Sequence, residues 1–158
     1  MNHNQELITW TNKFSCGIKL IDEQHKGLVD LINEMFNHVQ GDMIQEQEYF
    51  SLIIHETVKY VKNHFATEER IMIATNFPGY ASHKKEHDNF VYTIVENVKD
   101  YQTGKRFILI NFTRFLKDWA LSHIAFVDKL YFEHFRSIAT RKPDGRLSIT
   151  LPAGALRS

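Results

Sequence analysis

His64 and Glu68 stand four residues apart in this chain, and His83 and His87 repeat the interval after a break at Pro78 and Gly79. Positions i and i+4 share a helical face, about one turn apart. A Pro-Gly step lets a second helix return beside the first, so the two pairs would face each other near one end of a helical hairpin. Imidazole and carboxylate are both good ligands for transition metals. One such pair is ordinary on a solvated helix; two pairs meeting across a turn point to a metal site.

The elements that must position these groups follow from apolar periodicity. Residues 1 to about 18 lack a helical period and read as an extended arm, anchored by Trp10 and Phe14. A first helix, about Ile18 to Gln40, carries Leu28, Ile32, Met35, Phe36 and Val39 at three-and-four spacing, with His25 continuing the stripe at its front. A second, about Gln45 to Ala74, sets Phe50, Ile53, Ile54, Val58, Val61, Phe65 and Met72 on the broad face that also holds His64 and Glu68. After a turn at Asn76 to Gly79, a third helix from Tyr80 to Gln102 aligns His83, His87, Phe90, Ile94, Val98 and Tyr101. Thr103 and Gly104 mark the next turn. The fourth and longest helix, about Lys105 to Ala139, turns Phe112, Phe115, Leu116, Trp119, His123, Phe126, Val127 and Leu130 inward. Beyond Arg141 the period stops: Lys142 to Arg146 is turn chemistry, and Leu147 to Pro152 reads as a short extended piece.

Four amphipathic helices on short turns predict an all-α, up-down-up-down bundle. In that topology the start of helix one, the end of two, the start of three and the end of four lie at the same end. His25, His64, Glu68, His83, His87, His123 and Asp128 then come level within roughly two turns at about 1.5 Å per residue. A single buried imidazole is ordinarily a satisfied core residue, but five at one level with two carboxylates make a costly core unless a cation sits among them. Seven donors exceed what one ion accepts. Two ions about 3.5–4 Å apart, sharing both carboxylates, use all seven, and Glu68 and Asp128, the only acids of the set, are the bridges. One separation resists this reading. His123 and Asp128 are five apart, about 140° round an ideal helix. Of the nine histidines, His3, His38, His55 and His134 read as surface or helix-end residues, with His134 the nearest to the pattern, eleven residues after His123.

Composition sets outer bounds. At 158 residues and 43% apolar content the chain suits one domain with a sizeable core. A net charge of zero, with no cluster of lysine and arginine, offers no field for nucleic acid or an anionic membrane. No apolar run approaches the roughly 18 residues that span a bilayer, and the start, MNHNQELITW, lacks the blocks of a secretory signal. Cys16 is the single cysteine, which excludes an internal disulfide and suits a reducing compartment. A cytoplasmic protein is expected.

Taken together, His25, His64-x-x-x-Glu68, His83-x-x-x-His87 and His123-x-x-x-x-Asp128 resemble the ligand signature of the hemerythrins. The flanking text FSCGIKLIDEQH, HFATEE, HKKEH and WALSHIAFVD is similar to the bacterial branch, over about residues 7 to 135. The resemblance also supplies the five-residue separation that helical spacing does not. It implies a non-haem di-iron centre that binds dioxygen reversibly, for storage, delivery or sensing. One iron would take His83, His87 and His123; the other would take His25 and His64 and keep an open position. Glu68 and Asp128 would bridge them, with an oxo or hydroxo group as third bridge. The alternative is a di-iron enzyme reducing peroxide or nitric oxide. A sensory module is disfavoured, because no signalling domain accompanies the bundle in this sequence.

The resemblance further places Phe65, Trp119 and Ala120 at an oxygen pocket. The family pattern before the fourth-helix histidine is Trp-Leu-x-x-His, and here Ala120 stands in the leucine's place. Alanine opens space beside the open iron unless Phe65 or Leu121 fills it; simple repacking is the other outcome. Cys16, at a position where the family often has a small aliphatic residue, is expected to be buried and inert. The expected organisation is a bundle over residues 1–139 and a C-terminal extension over 140–158. Ile149 and Leu151 favour packing of that extension on the bundle or at an oligomer interface. The chain is expected to be a monomer or small homo-oligomer.

Overall fold

The structure is a computed structural model and describes residues 5–105, 107–144 and 147–148. Five α-helical segments account for most of it: α1 (Lys19–Asn37), α2 (Met43–Ala74), α3 (Tyr80–Gln102), α4 (Leu109–Ser122) and α5 (Asp128–Ile138). A π-helical turn, His123–Val127, joins α4 to α5, and the joining residues keep right-handed helical angles, so the two form one rod. The result is the expected four-helix bundle. The arm before α1 contains one short 3₁₀ turn, Asn12–Phe14. After α5, Thr140 and Arg141 pair antiparallel with Ser148 and Leu147. No helix among the described residues is long and apolar enough to cross a membrane.

Local signals stop the helices where the bundle needs them to stop. Asp42 caps α2 by accepting from the backbone N–H groups of Ile44 and Gln45. Buried Glu46 accepts from the N–H groups of Gln40 and Gly41, which closes the turn from α1. At the end of α2, Asn76 takes a positive φ of 51°, while Phe77 N–H donates to Met72 O and Asn76 N–H to Ile73 O. That paired pattern is the Schellman cap. Gly104 repeats it for α3, with Lys105 N–H on Asp100 O and Gly104 N–H on Tyr101 O.

Three boundaries or faces differ from the sequence expectation. The fourth helix begins at Leu109, not near Lys105, because Ile108 is extended and Phe107 is already packed into the core. Phe126 and Leu130, expected inward, are 73% and 59% exposed, and Val127 is only half-buried. The π turn shifts the inward face by one residue, so Ile124, Asp128, Tyr131 and Phe132 are buried instead. In the arm, Trp10 and Phe14 are only half-buried, and the anchor is buried Ile8. Asn33 holds that segment, accepting from the N–H groups of Leu7 and Ile8 and donating to Ile8 O.

The apolar core falls into two clusters, and the polar donors lie between them. The larger contains Leu28, Phe65 and Ile124; the smaller contains Cys16, Ile21, Met72, Tyr131 and Phe132. Along α1 the order is Ile21, His25, Leu28; along α2 it is Phe65, Glu68, Met72; along the last rod it is Ile124, Asp128, Tyr131. A polar layer is thus sealed on both sides. Thr57 and Thr113 are also buried, but each donates its hydroxyl to the carbonyl four residues back and needs nothing further.

Candidate metal centre

The seven sequence-predicted donors are all brought together, and all are buried, none more than 3% exposed. His64 with Glu68, and His83 with His87, each occupy one helical face as their spacing requires. His123 and Asp128 meet for a different reason. The backbone N–H of Asp128 donates to His123 O, an i→i+5 bond that widens the turn and sets both side chains on one face.

The donor atoms divide into two groups, and each carboxylate reaches both. Glu68 Oε1 lies 3.5 Å from His25 Nε2 and 3.6 Å from His64 Nε2. Its other oxygen lies 3.3 Å from His87 Nε2 and 3.9 Å from His83 Nε2. Asp128 behaves alike: Oδ2 is 3.2 Å from His25 Nε2, and Oδ1 is 3.2 Å from His83 Nε2 and 3.0 Å from His123 Nε2. One group therefore comprises His83, His87, His123, Glu68 and Asp128; the other comprises His25, His64 and the same two carboxylates.

This arrangement fits a cation. Both Asp128 oxygens, Glu68 Oε2 and both His25 nitrogens are buried without a hydrogen-bond partner, a costly state for groups whose other alternative is water. The Nε2 atoms of His83, His87 and His123 form a triangle with sides of 3.1, 3.1 and 3.2 Å. Three mutually perpendicular metal–nitrogen bonds of about 2.1 Å would set their nitrogens about 3 Å apart. Neutral imidazole lone pairs crowded in this way need a positive centre.

Outer contacts orient the rings. Glu69 Oε1 accepts from His87 Nδ1 at 3.1 Å, which leaves the Nε2 lone pair free. Gln24 Oε1 accepts from His64 Nδ1 at 3.0 Å, while the Gln24 amide donates to Thr67 Oγ1. Tyr131 donates its hydroxyl to Glu68 Oε1 at 2.9 Å. Phe65 stacks on His87 at 3.7 Å between ring centres, and Trp119 stacks on His123 at 4.2 Å. Gln24, Glu69 and Tyr131 escaped the sequence reading. Only Tyr131 left a local signal, three residues after Asp128 and so on its face.

Charge within the layer is balanced by proximity. Burial works against the ionised forms of Glu68 and Asp128, but the surrounding imidazoles outweigh it and hold both below the ordinary carboxylate range. Burial pulls His25 down, yet Asp128 and Glu68 raise it from 6.5 to about 9. Burial dominates at His64 and lowers it. Tyr131 is pushed up by burial and by the two carboxylates, so it stays a protonated donor.

Phe65 and Trp119 wall the three-histidine group. Ala120 is buried in the larger core cluster, and Ile124, four residues on, shares its helical face. Cys16 is a buried free thiol whose pKa burial raises, which makes it unreactive. His38 stacks on Tyr49, His55 is exposed, and His134 meets Thr75 O at 2.7 Å at the end of α2. His3, Ile149 and Leu151 lie outside the described residues.

Comparison with known proteins agrees with this geometry. The family model described as the Hemerythrin HHE cation binding domain matches residues 16–135. The chain is 32% identical over 126 residues to the bacteriohemerythrin of Methylococcus capsulatus, covering 79% of this chain and 94% of that one. It is 27% identical to the hemerythrin of Themiste dyscrita, covering 77% and 88% of the two chains. A crystal structure of wild-type hemerythrin matches with a TM-score of 0.71 at 31% identity, over 80% of this chain and 96% of that one. The chain belongs to the hemerythrin family.

Proposed function

We propose that the buried layer holds two iron ions and that the protein binds dioxygen reversibly at them. The observation that carries this reading is the division of each carboxylate, one oxygen toward the His25/His64 group and the other toward the His83/His87/His123 group. Glu68 and Asp128 are the bridges on this reading. His83, His87 and His123 hold one ion; His25 and His64 hold the other. The two-histidine group has one donor fewer, and that side is where dioxygen is accommodated. A ferrous pair would lend electrons to the bound dioxygen and take the same electrons back on its release, which is what reversibility requires.

The chain's own residues keep the binding from running on to further chemistry. Five neutral imidazoles and only two carboxylates give the layer little of the negative charge that stabilises high oxidation states. The apolar clusters on either side exclude water from the donors. Tyr131 tempers the Glu68 charge through its hydroxyl. No feature of the site or of the relatives favours the enzyme that reduces peroxide or nitric oxide.

The domain organisation proposed is a bundle over residues 1–139 followed by an extension over 140–158. A cytoplasmic monomer or small homo-oligomer fits this reading. Anaerobic loading with ferrous iron, followed by cycling between air and argon, tests the function. A colour that appears and disappears reversibly, with about two irons per chain, is the expected result. Irreversible bleaching, or protein that takes up no iron, overturns it.

A further inference from the structure

Two of the buried imidazoles have their outer nitrogen held by side chains of different charge. His87 gives its Nδ1 proton to the carboxylate of Glu69, and His64 gives its own to the neutral amide of Gln24. A carboxylate only accepts, so the direction of the first bond is not in doubt. The Gln24 amide nitrogen is occupied by Thr67 Oγ1, which in turn donates to Asn63 O. That chain leaves the Gln24 carbonyl oxygen facing His64. The two groups of donors are therefore supported unequally, one by an anion and one by a dipole.

Geometry keeps the inequality in place. Phe65 lies parallel to the His87 ring, with 4° between the planes, so the ring cannot swing away from Glu69. Glu69 sits where a groove between α2 and α3, lined by Lys62, Phe65, Ala66 and Asp88, opens to solvent. Among the described residues the cation within ion-pair distance of it is Lys84, whose Nζ lies 3.8 Å from Glu69 Oε2 but 2.8 Å from Asp88 Oδ1. Lys84 is thus committed mainly to Asp88, and Glu69 keeps most of its charge for His87. A carboxylate drawing on the Nδ1 proton makes the opposite nitrogen a stronger donor than an amide does. Stronger donation favours the oxidised metal.

We propose that Glu69 is a positioning residue that lowers the reduction potential of the iron pair through His87, whereas Gln24 holds His64 without adding charge. The inference rests on the di-iron reading given above. It makes the three-histidine side the one whose electronics respond to a residue at the protein surface.

Glu69→Gln keeps an acceptor for His87 and removes the charge; Glu69→Ala removes both. In a spectroelectrochemical titration of iron-loaded protein, Glu69→Gln should retain its iron and shift the oxidised-to-reduced ratio about tenfold toward reduced, ~59 mV for one electron. Glu69→Ala should shift in the same sense and also lose iron affinity by about 10–100-fold. Gln24→Glu should shift the ratio the opposite way. In metal-free protein, proton NMR should show a hydrogen-bonded His87 Nδ1–H resonance that moves upfield in Glu69→Gln. An unchanged potential in iron-loaded Glu69→Gln overturns the inference alone. Absence of the His87 resonance removes the contact it is built on. Wild-type protein that takes up no iron overturns the functional reading, and this inference with it.

Discussion

The backbone N–H of Asp128 donates to the carbonyl of His123, five residues back, and this single π turn aligns two donors that an unbroken α-helix would set about 140° apart. The same turn moves Phe126 and Leu130 to the surface and Tyr131 and Phe132 into the core. One extra residue therefore sets both the donor layer and the packing beneath it.

Deleting Phe126 should leave the bundle folded. The four-residue spacing that results keeps Asp128, Tyr131 and Phe132 inward in ordinary α register. The expected cost is about 1–2 kcal/mol, read from urea unfolding of metal-free protein. Iron affinity should fall by about tenfold or more, the scale of loss when the groups that orient a metal ligand are disturbed. Inserting an alanine after Phe126 should be far worse, since it swings the same three residues by about 100°. Equal stability of deletion and insertion variants contradicts this account of the turn.

Gly27→Ala should destabilise the protein although alanine is the better helix former by about 1 kcal/mol. A Cβ at residue 27 would collide with Tyr60 Oη, which donates to Gln24 O at 2.7 Å. Overpacking of this kind costs about 1–3 kcal/mol. Tyr60→Phe in the same background frees the ring to shift and should recover part of the loss. A denaturation midpoint for Gly27→Ala at or above wild type refutes the close approach of α1 and α2 at this point.

Metal-free protein should lose stability as pH rises from about neutral through 9. His25 is raised from 6.5 to about 9 in the fold, so its contribution is complete below 6.5 and disappears as pH rises through the folded value. On the acid side, Asp128, Glu68 and Asp22 are lowered from their ordinary values of 3.8, 4.5 and 3.8. Their contributions are present above those values and vanish as pH falls through the folded ones. His64, held low by burial, trims stability below 6.5. Thermal melts from about pH 2 to about pH 10 check the shape, and His25→Gln should flatten the alkaline limb; a limb that persists in that variant assigns it elsewhere.

Ala120→Leu should slow autoxidation of the oxygenated protein several-fold if the alanine leaves room beside the bound gas. Ala120 lies in the larger apolar cluster with Ile124 and Phe65, and half-buried Leu121 packs against the same cluster. The absorbance decay after oxygenation is the measurement. An unchanged decay rate means that the surrounding apolar side chains have already closed the space.

Much of this was readable without coordinates because it is local. The α3 boundaries agree with expectation at both ends, since Asn76 ends α2 just before it and Gly104 ends α3 itself, each by its backbone conformation. The donors at four-residue spacing were legible for the same reason, as a helix face is a matter of interval. Phe126 and Leu130 were misplaced because apolar residues in an assumed α register look inward. Nothing in five consecutive residues announces a widened turn; the stabilisation comes from the partner rods that receive Asp128, Tyr131 and Phe132. Ile8 displaced the aromatics as the anchor of the arm because Asn33, on another element, satisfies its backbone.

Interval and periodicity were enough to say which side chains can donate, at what height they meet and, for all but Asp128, on which helix face. That each carboxylate points one oxygen to either group, and that Glu69, Gln24 and Tyr131 complete the surroundings, came from the packed fold. Intervals along one helix follow from the backbone hydrogen bond. Contacts between helices depend on rotation, depth and rotamer, which are settled only when the apolar clusters above and below the layer pack.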